Sequence, residues 1–173
     1  MGREIRRVIP NWEHPKKEYP NHRTRRMEEG YQPLYDESYR EAAAEWRKGF
    51  AGWEGGERAA HFAEKGEDYE FWDWDGMPPD KDYYRPEWKP EEMTWFQVYE
   101  TVSEGTPVTP PFATKEELVD YLVANGDFWD QRRGDGGWSR DNAESFVGLG
   151  YAPSLVVNTV TGEIKSPRDG QLA

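Results

Sequence analysis

The sequence predicts an α+β fold, in which a small antiparallel sheet is covered by two or more helices and preceded by an extended Pro- and aromatic-rich N-terminal arm. Three observations predict it. The run Thr94-Trp95-Phe96-Gln97-Val98-Tyr99-Glu100-Thr101-Val102 is β-branched and aromatic, the composition of a strand. Thr114 with Glu117 matches a capping box ahead of an amphipathic stretch. Thr161-Gly162, between short apolar segments, marks a hairpin turn.

Four regions follow in order: an arm over 1–35, a helical and acidic-aromatic region over 36–92, a compact α+β unit over 93–168, and a tail over 169–173. Pro10, Pro15, Pro20 and Pro33 forbid a long helix in the arm. A short strand is expected near Arg6, Val8 and Ile9, with Trp12, Tyr19 and Tyr31 anchoring the rest of the arm across the core. Tyr39, Ala43, Trp46 and Phe50 recur at helical spacing, so a helix is expected over 37–49. Asp36 is its expected N-cap, and Gly49 or Gly52 its stop. A second short helix is expected over 57–65. Residues 67–92 show no periodicity and read as a long loop whose aromatic density argues against disorder.

After the strand, Ser103 to Pro111 reads as a rigid loop. A helix over 115–125 follows, stopped by Asn125-Gly126. Gly134 to Gly137 forms a turn. Ser139 or Asp141 caps another helix, ended by Gly148 or Gly150. Leu155-Val156-Val157 and Glu163-Ile164-Lys165 form the closing hairpin, and the end of the chain reads as solvated.

Composition bounds the chemistry. The 173 residues include nine Trp, ten Tyr and seven Phe, so a few large rings must close a core in a chain of mean hydropathy −1.08. There is no cysteine, which excludes disulfides and thiolate metal sites and fits a reducing cytoplasm. No apolar run is long enough to span a bilayer, and the first residues lack the apolar stretch of a signal peptide. No membrane partner is expected.

The formal charge of −12 is unevenly spread. Residues 1–30 carry a net of +3, residues 31–100 a net of −10, and residues 101–173 a net of −5. Such a chain is expected to repel nucleic acid rather than bind it directly.

Motifs for catalysis are missing. His14, His22 and His61 form no metal-ligand pair, and Asp73-Trp74-Asp75-Gly76 departs from the order of a calcium loop. No metal or other cofactor is expected. There is no nucleophile elbow and no phosphate-binding glycine loop. With 34 Asp and Glu residues, paired carboxylates carry no diagnostic weight. The chain is read as leaning away from enzyme activity.

The stretch 64–82 holds eight acidic residues against Lys65 and Lys81. Carboxylates spaced on a firm surface can imitate phosphates and occupy a basic groove on a partner. Glu67, Asp68, Glu70, Asp73, Asp75, Asp80 and Asp82 are the expected contact charges, with Trp72 and Trp74 as apolar anchors. A different reading makes the chain a small-ligand binder or enzyme using the loop from Ser103 and Glu104 to Pro111, with Arg132 and Arg133 holding an anionic group.

The segment Trp95-Phe96-Gln97-Val98-Tyr99-Glu100-Thr101-Val102-Ser103-Glu104-Gly105-Thr106-Pro107-Val108-Thr109-Pro110-Pro111-Phe112, before the helix opened by Thr114, resembles one found in small bacteriophage and prophage proteins. Arg6-Arg7-Val8 is similar to their N-termini. Some of those proteins carry Cys-rich insertions after that start, which this chain lacks, so no zinc role carries over. The resemblance implies a phage or prophage origin and a bacterial cytoplasmic setting. The expected function is that of a phage accessory protein that binds a host protein through its acidic surface. A host nucleic-acid or defence enzyme inhibited in the manner of an anti-CRISPR or anti-restriction factor fits that expectation. A virion or assembly component is the remaining alternative.

Overall fold

The computed structural model describes residues 2–21, 25–58, 69–101 and 105–153, with the backbone of 156–157 and 164–165. The chain divides into two units. One joins residues 1–33 to 88–173, and the other spans 34–87.

The first unit is built on an antiparallel sheet in the order β4-β1-β5, formed by β1 (Arg3–Val8), β4 (Trp95–Glu100) and β5 (Tyr151–Ala152). The start of the N-terminal arm thus supplies the central strand of the sheet. The strand expected near Arg6 to Ile9 begins earlier, at Arg3, and pairs along its whole length with β4, with Ile5 opposite Val98 and Arg7 opposite Phe96. Its three arginines hide it from a hydropathy reading. The Arg6 guanidinium lies 4.7 Å from the Tyr99 ring centroid and that of Arg7 lies 4.7 Å from Phe96, so charged residues cover the aromatic surface of the neighbouring strand.

The outer edge of β4 is closed by the Pro-rich loop. Val108 N–H donates to Val98 O at 2.8 Å, and Phe96 and Phe112 exchange backbone bonds at 2.8 Å. Thr109 Oγ1 accepts from Val98 N at 3.1 Å. Proline suits this place because an edge residue can spare its missing N–H.

Helices α3 (Lys115–Asn125) and α5 (Arg140–Leu149) pack on this framework, and α4 (Phe128–Arg133) lies between them in sequence. α3 starts and stops where the sequence puts it: Glu117 N donates to Thr114 Oγ1 at 3.1 Å, and Gly126 caps the end. For α5, Ser139 is the cap and Gly150 the stop. The core unites Val98, Val108, Leu118, Leu122, Trp138 and Phe146.

α4 is held by a buried polar network. Asp127, its N-cap, accepts from the N–H groups of Trp129 and Asp130 and pairs with Arg3 of the central strand. Asp130 accepts from Trp138 Nε1 at 2.7 Å, and Trp129 Nε1 donates to Glu100 at 3.0 Å. Asp127 and Asp130 thus each meet several donors, which offsets the cost of removing them from water.

A second ribbon in this unit pairs β2 (Lys16–Asn21) with β3 (Arg26–Tyr31). The sequence reading leaves this segment as irregular arm, because Pro20 and six charged residues mask it. The closing hairpin pairs β6 (Val156–Val157) with β7 (Ile164–Lys165), while its Thr161-Gly162 turn and the tail lie outside the described residues. The helix expected over 57–65 falls outside them from residue 59 onward.

Candidate docking cleft

The unit spanning 34–87 contains α1 (Tyr39–Glu54), α2 (Phe71–Asp75) and a 3-10 turn at Lys81–Tyr83. α1 runs past both glycines that were expected to stop it, and its N-cap is Ser38 rather than Asp36. Gly49 sits inside the helix where a ring presses on it: a Cβ there would lie 2.9 Å from Phe71 Cζ. Phe71 is buried and meets Trp46 and Phe50 edge-on at 5.3 and 5.6 Å. That aromatic cluster makes a helix of residues expected to be loop, because five residues are too few to show periodicity.

Two further bonds close the unit. Trp46 Nε1 donates to Gly76 O at 2.9 Å, tying the end of α2 to α1. Tyr35 exchanges backbone bonds with Tyr83 O at 2.8 Å and Arg85 N at 3.1 Å, bringing the start of the unit to its end. Between these ties lies a cleft of about 510 Å³.

Four carboxylates line it: Glu37 and Glu45 from the beginning of the unit, Asp75 from α2, and Asp80 from the 3-10 turn. Tyr35, Trp46, Tyr83 and Tyr84 supply aromatic walls, and among the described residues no lysine, arginine or histidine is in the lining. Burial, and then the nearby Glu37 carboxylate, push the Tyr84 phenol above its ordinary value. Met77 on the rim is 73% exposed.

The expected contact residues divide. Asp75 and Asp80 enter the cleft. Glu70, Asp73 and Asp82 are exposed elsewhere on the unit, and Glu70 and Asp73 form the capping box of α2, with Glu70 N donating to Asp73 at 3.0 Å. Trp72 and Trp74 stand 44% and 49% exposed on the same short helix. Among the described residues no cation pairs with Glu70, Asp73, Asp75 or Asp80. Glu67 and Asp68 lie outside the described residues. Glu37 and Glu45 escaped the sequence reading. No local spacing marks them, because Glu37 precedes the helix and Glu45 lies within it, among many other acids.

The alternative residues fare differently. Ser103 and Glu104 lie outside the described residues. Arg133 donates to Asp130 at 2.7 Å and to Asp135 at 2.6 Å, bonds that raise its pKa, so its guanidinium is spent within the protein. Arg132 remains exposed. Among the described residues no cluster of three or more His, Asp or Glu could hold a metal ion, and no helix is long and apolar enough to cross a membrane. Comparisons with protein families, with curated proteins and with solved structures return no match to this chain.

Proposed function

We propose that the 34–87 unit is a docking module for a basic segment of a partner protein, with an arginine or lysine side chain seated in the cleft. The observation that carries this reading is the lining itself: among the described residues, four carboxylates stand beside four aromatic side chains with no basic side chain among them. A guanidinium or ammonium group is recognised by that combination, through charge-assisted bonds to carboxylates and attraction to ring faces. The surrounding field has the same sign, since residues 34–87 carry fifteen acidic and seven basic groups, a net of −8. That field speeds encounter with a positively charged partner. Trp72 and Trp74 add exposed apolar area of the kind that anchors interfaces.

The partner class that fits is a host protein with a basic nucleic-acid-binding surface, which an acidic protein would occupy competitively. The resemblance of residues 95–118 to phage proteins supports an accessory role against such a host enzyme. The test is a tagged pulldown from bacterial lysate, read by mass spectrometry and followed by binding kinetics on the captured protein. The double reversal Asp75→Lys/Asp80→Lys should slow association by about tenfold or more and flatten its salt dependence. Unchanged kinetics in the reversed variant would overturn the proposal.

A further inference from the structure

The lining of the cleft in the 34–87 unit also bears on which cation it takes. Its four carboxylates are not spent within the protein. Among the described residues no cation pairs with Glu37, Glu45, Asp75 or Asp80. Arg85, the basic residue next to Tyr84, instead meets Asp36 at 3.7 Å. Four like charges around one cleft, none of them neutralised, favour a cationic occupant.

Each carboxylate comes from beside a ring of the same lining. Glu45 directly precedes Trp46 on α1. Asp75 ends α2 next to Gly76, whose carbonyl oxygen accepts from Trp46 Nε1 at 2.9 Å. Asp80 caps the 3-10 turn that carries Tyr83. Burial, and after it the Glu37 carboxylate, hold the Tyr84 phenol above its ordinary value, so Glu37 stands near that ring. The rings are also fixed among themselves. Tyr84 meets Tyr35 at 5.2 Å and an angle of 47°, which makes a corner rather than a stack. Phe50 lies nearly parallel to Trp46 at 5.3 Å and covers one of its faces, so only the other face and the edges are left to the cleft. Pro78 and Pro79 extend the apolar share of the wall.

From this mixed lining we infer that the cleft is selective for arginine over lysine, a specificity that rests on the docking reading of the same cleft. An ammonium group is compact and strongly hydrated, and it loses water against aromatic and proline walls without a matching gain. A guanidinium is planar and weakly hydrated. Its edge donates to carboxylates while its faces lie against rings, so it uses both components of this lining at once. The partner residue is therefore an arginine, the side chain that a nucleic-acid-binding surface uses to grip phosphate with two parallel bonds.

The test uses the full chain and three capped tripeptides, in which arginine, lysine or citrulline stands between two glycines. Citrulline keeps the planar end group and lacks the charge. Binding is followed through the methyl signal of Met77, exposed at the rim of the cleft, by ¹H–¹³C correlation. That signal is identified as the one missing from Met77→Leu, and all affinities are measured on the unaltered protein. The arginine peptide should shift it saturably, the lysine peptide should bind about tenfold more weakly, and the citrulline peptide should leave it in place. Equal affinity for arginine and lysine, or a preference for lysine, overturns the selectivity and leaves the docking reading standing. A Met77 signal unmoved by either cation at millimolar concentration, or citrulline bound as tightly as arginine, overturns the docking reading and the selectivity with it.

Discussion

At the scale of the residue, two kinds of buried polar group coexist in this protein. Asp127 and Asp130 are enclosed but fully engaged, each meeting backbone or side-chain donors and a guanidinium. His14 is enclosed and engaged on one nitrogen only. Burial lowers its pKa below the ordinary 6.5, the Gln32 carbonyl opposes that shift, and Arg6 adds to it. The sign of the consequence follows. Above pH 6.5 the ring is neutral in both folded and unfolded chains, and this residue contributes no pH dependence. Below it the unfolded chain takes up a proton that the folded chain refuses, so stability falls as pH falls, until the depressed folded pKa is reached. The slope from this one residue stays below the one-proton limit of about 1.4 kcal/mol per pH unit. Denaturant titrations between pH 7.5 and 5 should show a steeper loss in the unaltered protein than in His14→Gln. Parallel curves would contradict this account.

At the scale of the element, local signals decided what could be read. α3 was legible to the residue because its capping box lies within four positions: Thr114 and Glu117 satisfy each other's backbone groups. α5 was legible to within two residues at either end, and the structure uses Ser139 rather than Asp141 as its cap and the left-handed Gly150 rather than Gly148 as its stop. Thr114→Ala should therefore cost about 1 kcal/mol of stability, measured as a shift in urea midpoint at constant slope. Elements without such signals were missed. α2 is too short for a period, and it exists because Phe71 fills an aromatic cluster on α1. The β2–β3 ribbon carries adjacent charges rather than an alternating apolar pattern, and both its strands are largely exposed. Its register rests on backbone pairing, supported by the Lys16–Glu29 ion pair and by Asn21 Nδ2 donating to Glu28 at 2.7 Å across the ribbon.

At the scale of the whole molecule, the first unit is closed by residues far apart in sequence. β1 lies between β4 and β5, and Arg3 at its start pairs with Asp127 across 124 positions. Deleting residues 1–33 removes the central strand and leaves Asp127 buried without its cation. The truncated chain should lose cooperative unfolding by circular dichroism, whereas an arm merely lying on the surface would leave the transition intact. The candidate site has the same non-local character. Asp75 and Asp80 were foreseen as contact charges, but Glu37 and Glu45, which complete the cleft, enter from some thirty residues earlier. Among 34 acidic residues, no spacing rule singles those two out.

The sequence by itself determined the α+β class, the sign and distribution of charge, the absence of thiol chemistry and the ends of α3. Each of these depends on composition or on bonds made within a few residues. Only the tertiary structure decided which strand sits at the centre of the sheet, which carboxylates share a cleft, and which nitrogens are buried without a partner. Those outcomes depend on packing between distant segments, where a ring such as Phe71 or a cation such as Arg3 chooses its neighbours by shape and charge rather than by position in the chain.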